Sequence, residues 1–186
     1  RLLQMSAPVK IDDEYLKLLD AEPDWATLRI VDILIEGAND GARLIEVIFG
    51  AGTLRLPHFL TSFRQAERQV QKIYPNFHAE PLVAATIGND VEKAESHLSA
   101  CIDAAGQGLA GVNIIPQPYD EEADWSLIHS WAERAAGAGL GIAIHAGEFS
   151  TANLSAALRT PGATRIGHAV YAATNEHLFD ELVQSG

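Results

Sequence analysis

Gly141-Ile142-Ala143-Ile144-His145-Ala146-Gly147-Glu148 is the stretch on which the fold turns. Its first five residues are small or apolar up to a terminal histidine, and Gly137 and Gly139 close an amphipathic stretch just before it. It therefore reads as a buried parallel strand entered from a helix. Downstream, residues 151–159 suit a brief helix, and Arg165-Ile166-Gly167-His168 a short strand that again ends in histidine. Strand, helix, strand is the βα unit of a parallel sheet.

The alternation extends upstream. Residues 42–49 are rich in β-branched and aromatic side chains and run into Gly50, Ala51 and Gly52, a strand and its loop. The next stretch places Phe59, Phe63, Ala66, Val70 and Ile73 on one helical face, with Arg64, Glu67, Arg68 and Lys72 turned away. Residues 80–87 form a second strand, after which Asn89 or Asp90 caps a helix with Val91, Ala94, Leu98, Cys101 and Ala105 inside. A third strand, 109–115, ends in a loop holding Pro116, Pro118 and Tyr119. A helix over 121–136 then packs Ala123, Leu127, Trp131 and Ala135 inward, its start favoured by the acidic run Asp120-Glu121-Glu122. The first 40 residues read as helical, with Tyr15, Leu16 and Leu19 in one piece and Leu28, Val31, Leu34 and Ile35 in the next.

About five parallel strands with covering helices define an α/β protein, and right-handed crossovers suit a doubly wound sheet or an arc of a (β/α)8 barrel. Spacing alone does not choose between them. No glycine-rich G-x-G-x-x-G or Walker-type turn follows a strand, which argues against a nucleotide-phosphate site. No internal repeat or low-complexity linker divides the chain, so residues 1–186 are expected to form one domain.

Composition narrows the partners. Hydrophobic residues make up 47% of the 186 and charged ones 20%, enough for a sizeable core and against disorder. A net charge of -12 repels phosphate backbones and anionic lipids, so neither nucleic acid nor a membrane surface is an expected partner. The one cysteine, Cys101, lies on an apolar helical stripe and reads as a buried thiol of a reducing compartment. With neither a membrane span nor a signal-peptide pattern, the expected location is the cytoplasm.

The chemistry concentrates at two strand ends. His145 and His168 stand where parallel α/β folds place their sites, and Glu148 follows the first after two small residues that let the backbone turn close to a ligand. One strand-end histidine is more often a structural hydrogen-bonding residue. Two, with a carboxyl group beside them, favour acid–base or metal chemistry.

These residues carry a resemblance. Ile144-His145-Ala146-Gly147-Glu148, followed by Arg165-Ile166-Gly167-His168, resembles the paired signature of the adenosine deaminase branch of the amidohydrolase superfamily, and Asp40-Gly41 before Ile45-Glu46-Val47 resembles that family's early strand. The resemblance implies a (β/α)8 TIM barrel holding one zinc ion per chain and a reaction that replaces a purine ring amino group with oxygen. By resemblance, His145 is a zinc ligand, Glu148 the acid that protonates the purine ring nitrogen, and His168 the group that orients or deprotonates the metal-bound water. Such chemistry suits those residue types: zinc brings the pKa of its water toward about 7, and ring protonation makes the attacked carbon electron-poor.

Departures from the pattern are equally specific. The family's first strand carries a His-x-His pair and its last strand an aspartate, yet no His-x-His occurs in this sequence, so one ligand of four is present. The sequence is therefore expected to be an internal segment of a longer barrel, its remaining zinc ligands outside the segment. Where the family has an aspartate and, three residues on, a glycine whose N–H binds the purine, Asn113 and Pro116 stand here, and proline has no N–H to give. Gln117 could offer its side-chain amide to the substrate instead. Ala169 replaces the common glycine after His168. A non-catalytic or differently specific amidohydrolase homologue is the competing expectation.

Other polar residues take plainer readings. His58, His97 and His129 fall on helices as solvated groups, and His78 precedes a strand at the barrel's stability face. Glu46, inside an apolar strand, needs a partner such as Arg43 or a backbone donor. Trp25, Trp125 and Trp131 read as helix packing.

Overall fold

The computed structural model describes residues 23–185, and the helix expected around Tyr15, Leu16 and Leu19 lies outside them. The described residues fall into two compact units, one ending at Arg43 and resuming over Arg55–His78, the other made of Leu44–Leu54 and the chain from Ala79 onward.

The first unit holds helices α1 (Pro23–Asn39) and α2 (Phe59–Gln71), packed against each other. Thr27, Ile30, Leu34 and Ala38 form the buried stripe of α1, while Leu28 is 55% exposed. The expected face is thus rotated by about a residue, because Ile30 sets the phase. In α2, Phe59, Phe63, Ala66 and Val70 are buried as expected, but Ile73 lies past the helix end and is 63% exposed. The amides of Ile73 and Tyr74 both return to Val70 O, and Pro75 bars the helical conformation at the residue before it. Glu67, expected to face away, is buried and bonded to Arg64 Nη1 at 3.0 Å, with His78 Nδ1 at 3.9 Å.

Strands β1 (Leu44–Gly50), β2 (His78–Ile87), β3 (Gly111–Pro116), β4 (Gly141–Ala146) and β5 (Ala163–His168) lie side by side in chain order. A doubly wound sheet reverses its order at a switch point, whereas an unbroken sequential order of parallel strands is the winding of a (β/α)8 barrel. This is therefore an α/β partial TIM barrel of five parallel strands. Asn113 pairs with Ala84 on one side and Ala143 on the other, and His145 pairs with Gly167.

The sheet curls. Arg165 of β5 donates from Nε to Glu46 Oε2 of β1 at 2.6 Å, and its Nη2 meets Glu46 Oε1. In a flat sheet strands one and five would stand about 19 Å apart at ~4.8 Å per strand, beyond the reach of two side chains. Glu46 thus finds its partner in Arg165, 119 residues away, instead of Arg43.

Helices α3 (Val91–Ala105), α4 (Trp125–Gly137), α5 (Leu154–Leu158) and α6 (Glu176–Gln184) follow β2 to β5. Asp90 caps α3, accepting from Lys93 N, and Ala94, Leu98, Cys101 and Ala104 are buried, whereas Val91 at its first turn is exposed. Burial pushes the Cys101 thiol up to about 11, as an apolar site does to a group that must ionise. Trp131 is buried and donates Nε1–H to Ala94 O at 3.0 Å, tying α4 to α3, but Trp25 is exposed. The acidic run Asp120-Glu121-Glu122 stays in the loop, since Asp124 accepts from Ser126 N and starts α4 at Trp125. Consequently Ile128, not Leu127, takes the buried position. His58 is exposed, but His97 and His129 are half-buried, His129 Nε2 lying 3.3 Å from Ala156 O. No helix of the described residues is long and apolar enough to cross a membrane.

Candidate active site

Each site residue is placed by where its strand ends. β4 runs its apolar residues Ile142 and Ile144 into the core, so the alternating His145 emerges at the C-terminal edge, half-buried. β5 ends one position further in register, at His168 opposite Ala146. The two imidazole rings meet edge to face with centroids 4.7 Å apart. Glycine at 167 makes this approach possible: a Cβ there would lie 2.6 Å from His145 Cδ2.

The backbone beyond these strands is bent into unusual conformations. His168 has φ 72° and Ala169 φ 52°, both left-handed, and Gly147 has φ 75°. Ala169 N donates to Ala146 O and Tyr171 N to Gly147 O, which locks the two strand ends together. Two successive non-glycine residues held left-handed cost free energy, and such strain collects at functional sites.

Gly147 turns the chain so that Glu148 faces back over the histidines. Its Oε2 stands 3.4 Å from His168 Nε2 and accepts a hydrogen bond from Tyr119 Oη at 3.1 Å. Burial, helped by His168 and opposed by Glu148, holds the His145 pKa below the ordinary imidazole value. His145 is therefore neutral at pH 7, the form that binds a metal or accepts a hydrogen bond. Burial first, and the bond to Glu148 second, push Tyr119 up to about 12, so it stays a phenol donor.

Gln117 sits apart from this trio. Its amide N–H donates to Ile87 O at 2.8 Å, and its side chain, against Gly88, lines a cavity of about 160 Å³ with Asn89, Asp124 and Leu127. Asn113 is buried in β3 with Nδ2 lacking a hydrogen-bond partner. Sequence reasoning did not single out Asn153. It stands at the N-cap position of α5, where its side chain would ordinarily cap that helix, but it binds the loop after β3 instead. Tyr119 was legible only as a loop residue.

A zinc site needs three or four protein donors. Among the described residues no three His, Cys, Asp or Glu side chains are grouped to hold a metal. His145 fits as one donor, but the described set does not close the site.

Residues 62–186 match the family model described as adenosine deaminase. Among solved structures the chain is similar to a zinc-bound amidohydrolase from Burkholderia ambifaria, with a TM-score of 0.72 and 20% identity over 92% of this chain and 50% of that one. At that identity the likeness shows the fold, and the chain spans about half the length of this neighbour. No curated protein matches the sequence.

Proposed function

Because the chain belongs to the adenosine deaminase family, we propose that the protein is a hydrolytic deaminase of an aminopurine or its nucleoside. Glu148 and His168 are its acid–base pair, and His145 is one ligand of a zinc ion. The observation that carries this reading is the meeting of all three side chains at the C-terminal ends of adjacent strands.

The carboxyl of Glu148 lends a proton to the ring nitrogen next to the carbon that bears the amine, drawing electrons from that carbon. His168 takes up the proton of the attacking water. His168 passes that proton to the amine, the carbon–nitrogen bond breaks and ammonia leaves, and the proton of the added hydroxyl returns to Glu148 as the oxygen becomes the ring carbonyl. Each proton transfer by a placed group contributes about 10² to 10⁴-fold. Zinc enters the reading as the metal bound by the solved neighbour, with donors besides His145 coming from outside the described residues.

Specificity differs from an adenosine site read by a backbone N–H. Pro116 has no N–H, and that of Gln117 is taken by Ile87 O, so neither position offers the purine a backbone donor. An unpaired ring nitrogen in a dry pocket costs about 1–3 kcal/mol. A modified or differently substituted aminopurine therefore fits better than adenosine. Ammonia release by the full-length protein, compared across adenosine, adenine and substituted aminopurines, tests the reading. Turnover of adenosine near the diffusional ceiling would contradict the specificity, and no release from any of them would contradict the reaction.

A further inference from the structure

We infer that Tyr119 and Asn153 are positioning residues for Glu148, fixing which of its carboxyl oxygens faces the substrate; this rests on the deaminase reading above. The observation is a chain of hydrogen bonds across two loops. Asn153, 2% exposed, accepts at Oδ1 from Ala123 N at 3.1 Å and from Trp125 Nε1 at 2.9 Å. Its Nδ2 donates to Pro118 O, Tyr119 O and Glu121 O at 3.2, 2.8 and 2.8 Å. One buried amide thus ties backbone groups of Pro118, Tyr119, Glu121 and Ala123 in the loop before α4. That loop has no regular structure of its own, so Asn153 supplies what a helix or strand would otherwise provide. Ser150 Oγ adds a second tie, to Asp120 O at 3.0 Å.

The loop carries Tyr119, whose hydroxyl ends on Glu148 Oε2. The same oxygen is the one 3.4 Å from His168 Nε2. The Tyr119 hydroxyl, donating to Oε2, marks that oxygen as the carbonyl oxygen of the protonated acid. Oε1, which no described residue bonds, then carries the proton. Tyr119 prevents the carboxyl from rotating its proton toward His168, where it would be lost to the wrong partner. A loop from one βα unit thereby sets the proton geometry of the next.

The test uses the full-length protein with adenine, adenosine and substituted aminopurines as probes, ammonia release as the assay, and Glu148→Gln as the reference for a lost acid. Tyr119→Phe keeps the ring and its edge contact with Phe149 but removes the hydroxyl. It should lower kcat roughly 10- to 100-fold with KM and Tm near wild type, as a misplaced reacting group does. Asn153→Ala should lose at least as much, and the double variant no more than Asn153→Ala alone, because both act through one hydrogen bond. Tyr119→Phe carries the test where Asn153→Ala does not fold. Wild-type kcat in Tyr119→Phe, or losses that multiply in the double variant, would overturn the inference while Glu148→Gln still confirms the deaminase. A wild type that releases ammonia from none of these probes overturns both.

Discussion

Arg165 and Glu46 are joined through Nε and Oε2 at 2.6 Å although their strands stand at opposite ends of the sheet order. The pair spans the concave side of the curled sheet and is only half-buried. Its worth is therefore that of a partly screened, bidentate bond, about 1 kcal/mol. Glu46→Ala or Arg165→Ala should lower the stability of the chain by about that amount in urea titrations. Exchanging the two charges, Glu46→Arg with Arg165→Glu, should recover part of the loss.

Ala169 occupies a conformation that glycine adopts without strain, φ 52°. Ala169→Gly should stabilise the chain by about 0.5–1 kcal/mol, since the relief of strain exceeds the added freedom of the unfolded chain. Gly147→Ala should do the opposite. Its φ is 75° and its Cβ would stand 3.0 Å from Ala169 Cα. Paired denaturation curves of the two variants check both signs.

Gly167 gives His145 its space. In Gly167→Ala the new methyl would overlap the His145 ring at 2.6 Å and turn it away. Disturbing a ligand's support typically costs about 10–100-fold in metal affinity. The full-length variant should show that loss in zinc titrations while His168→Ala, which spares the ring position, loses little. The 186-residue chain alone should hold zinc weakly after dialysis, because His145 is a single donor and no described group completes the set.

The strands were legible in the sequence because a parallel strand buried on both faces is a short apolar run with few readings. His145, Glu148 and His168 were legible because each falls where such a run ends. Helix faces were read less well. The phase of α1 and the start of α4 depend on single anchoring residues, Ile30 and the Asp124 cap, which average periodicity cannot weigh. Nor did spacing reveal α6, which Asn175 starts by accepting from Leu178 N. The partners of Glu46, Tyr119 and Asn153 lie 28 to 119 residues away, and nothing local announces them. Closure of the sheet and of the loops brings them together, so the acid Glu148 was readable and the residues that hold it were not.

The central claim is that Glu148 gives a proton to the substrate ring. Its most direct test is the full-length Glu148→Gln variant, with bound zinc and ammonia release measured on the same preparation. An amide keeps the size and the bond from Tyr119 but has no acidic proton. Wild-type zinc content with turnover reduced about 10²- to 10⁴-fold is the expected result. Turnover near wild type with zinc retained would contradict the account.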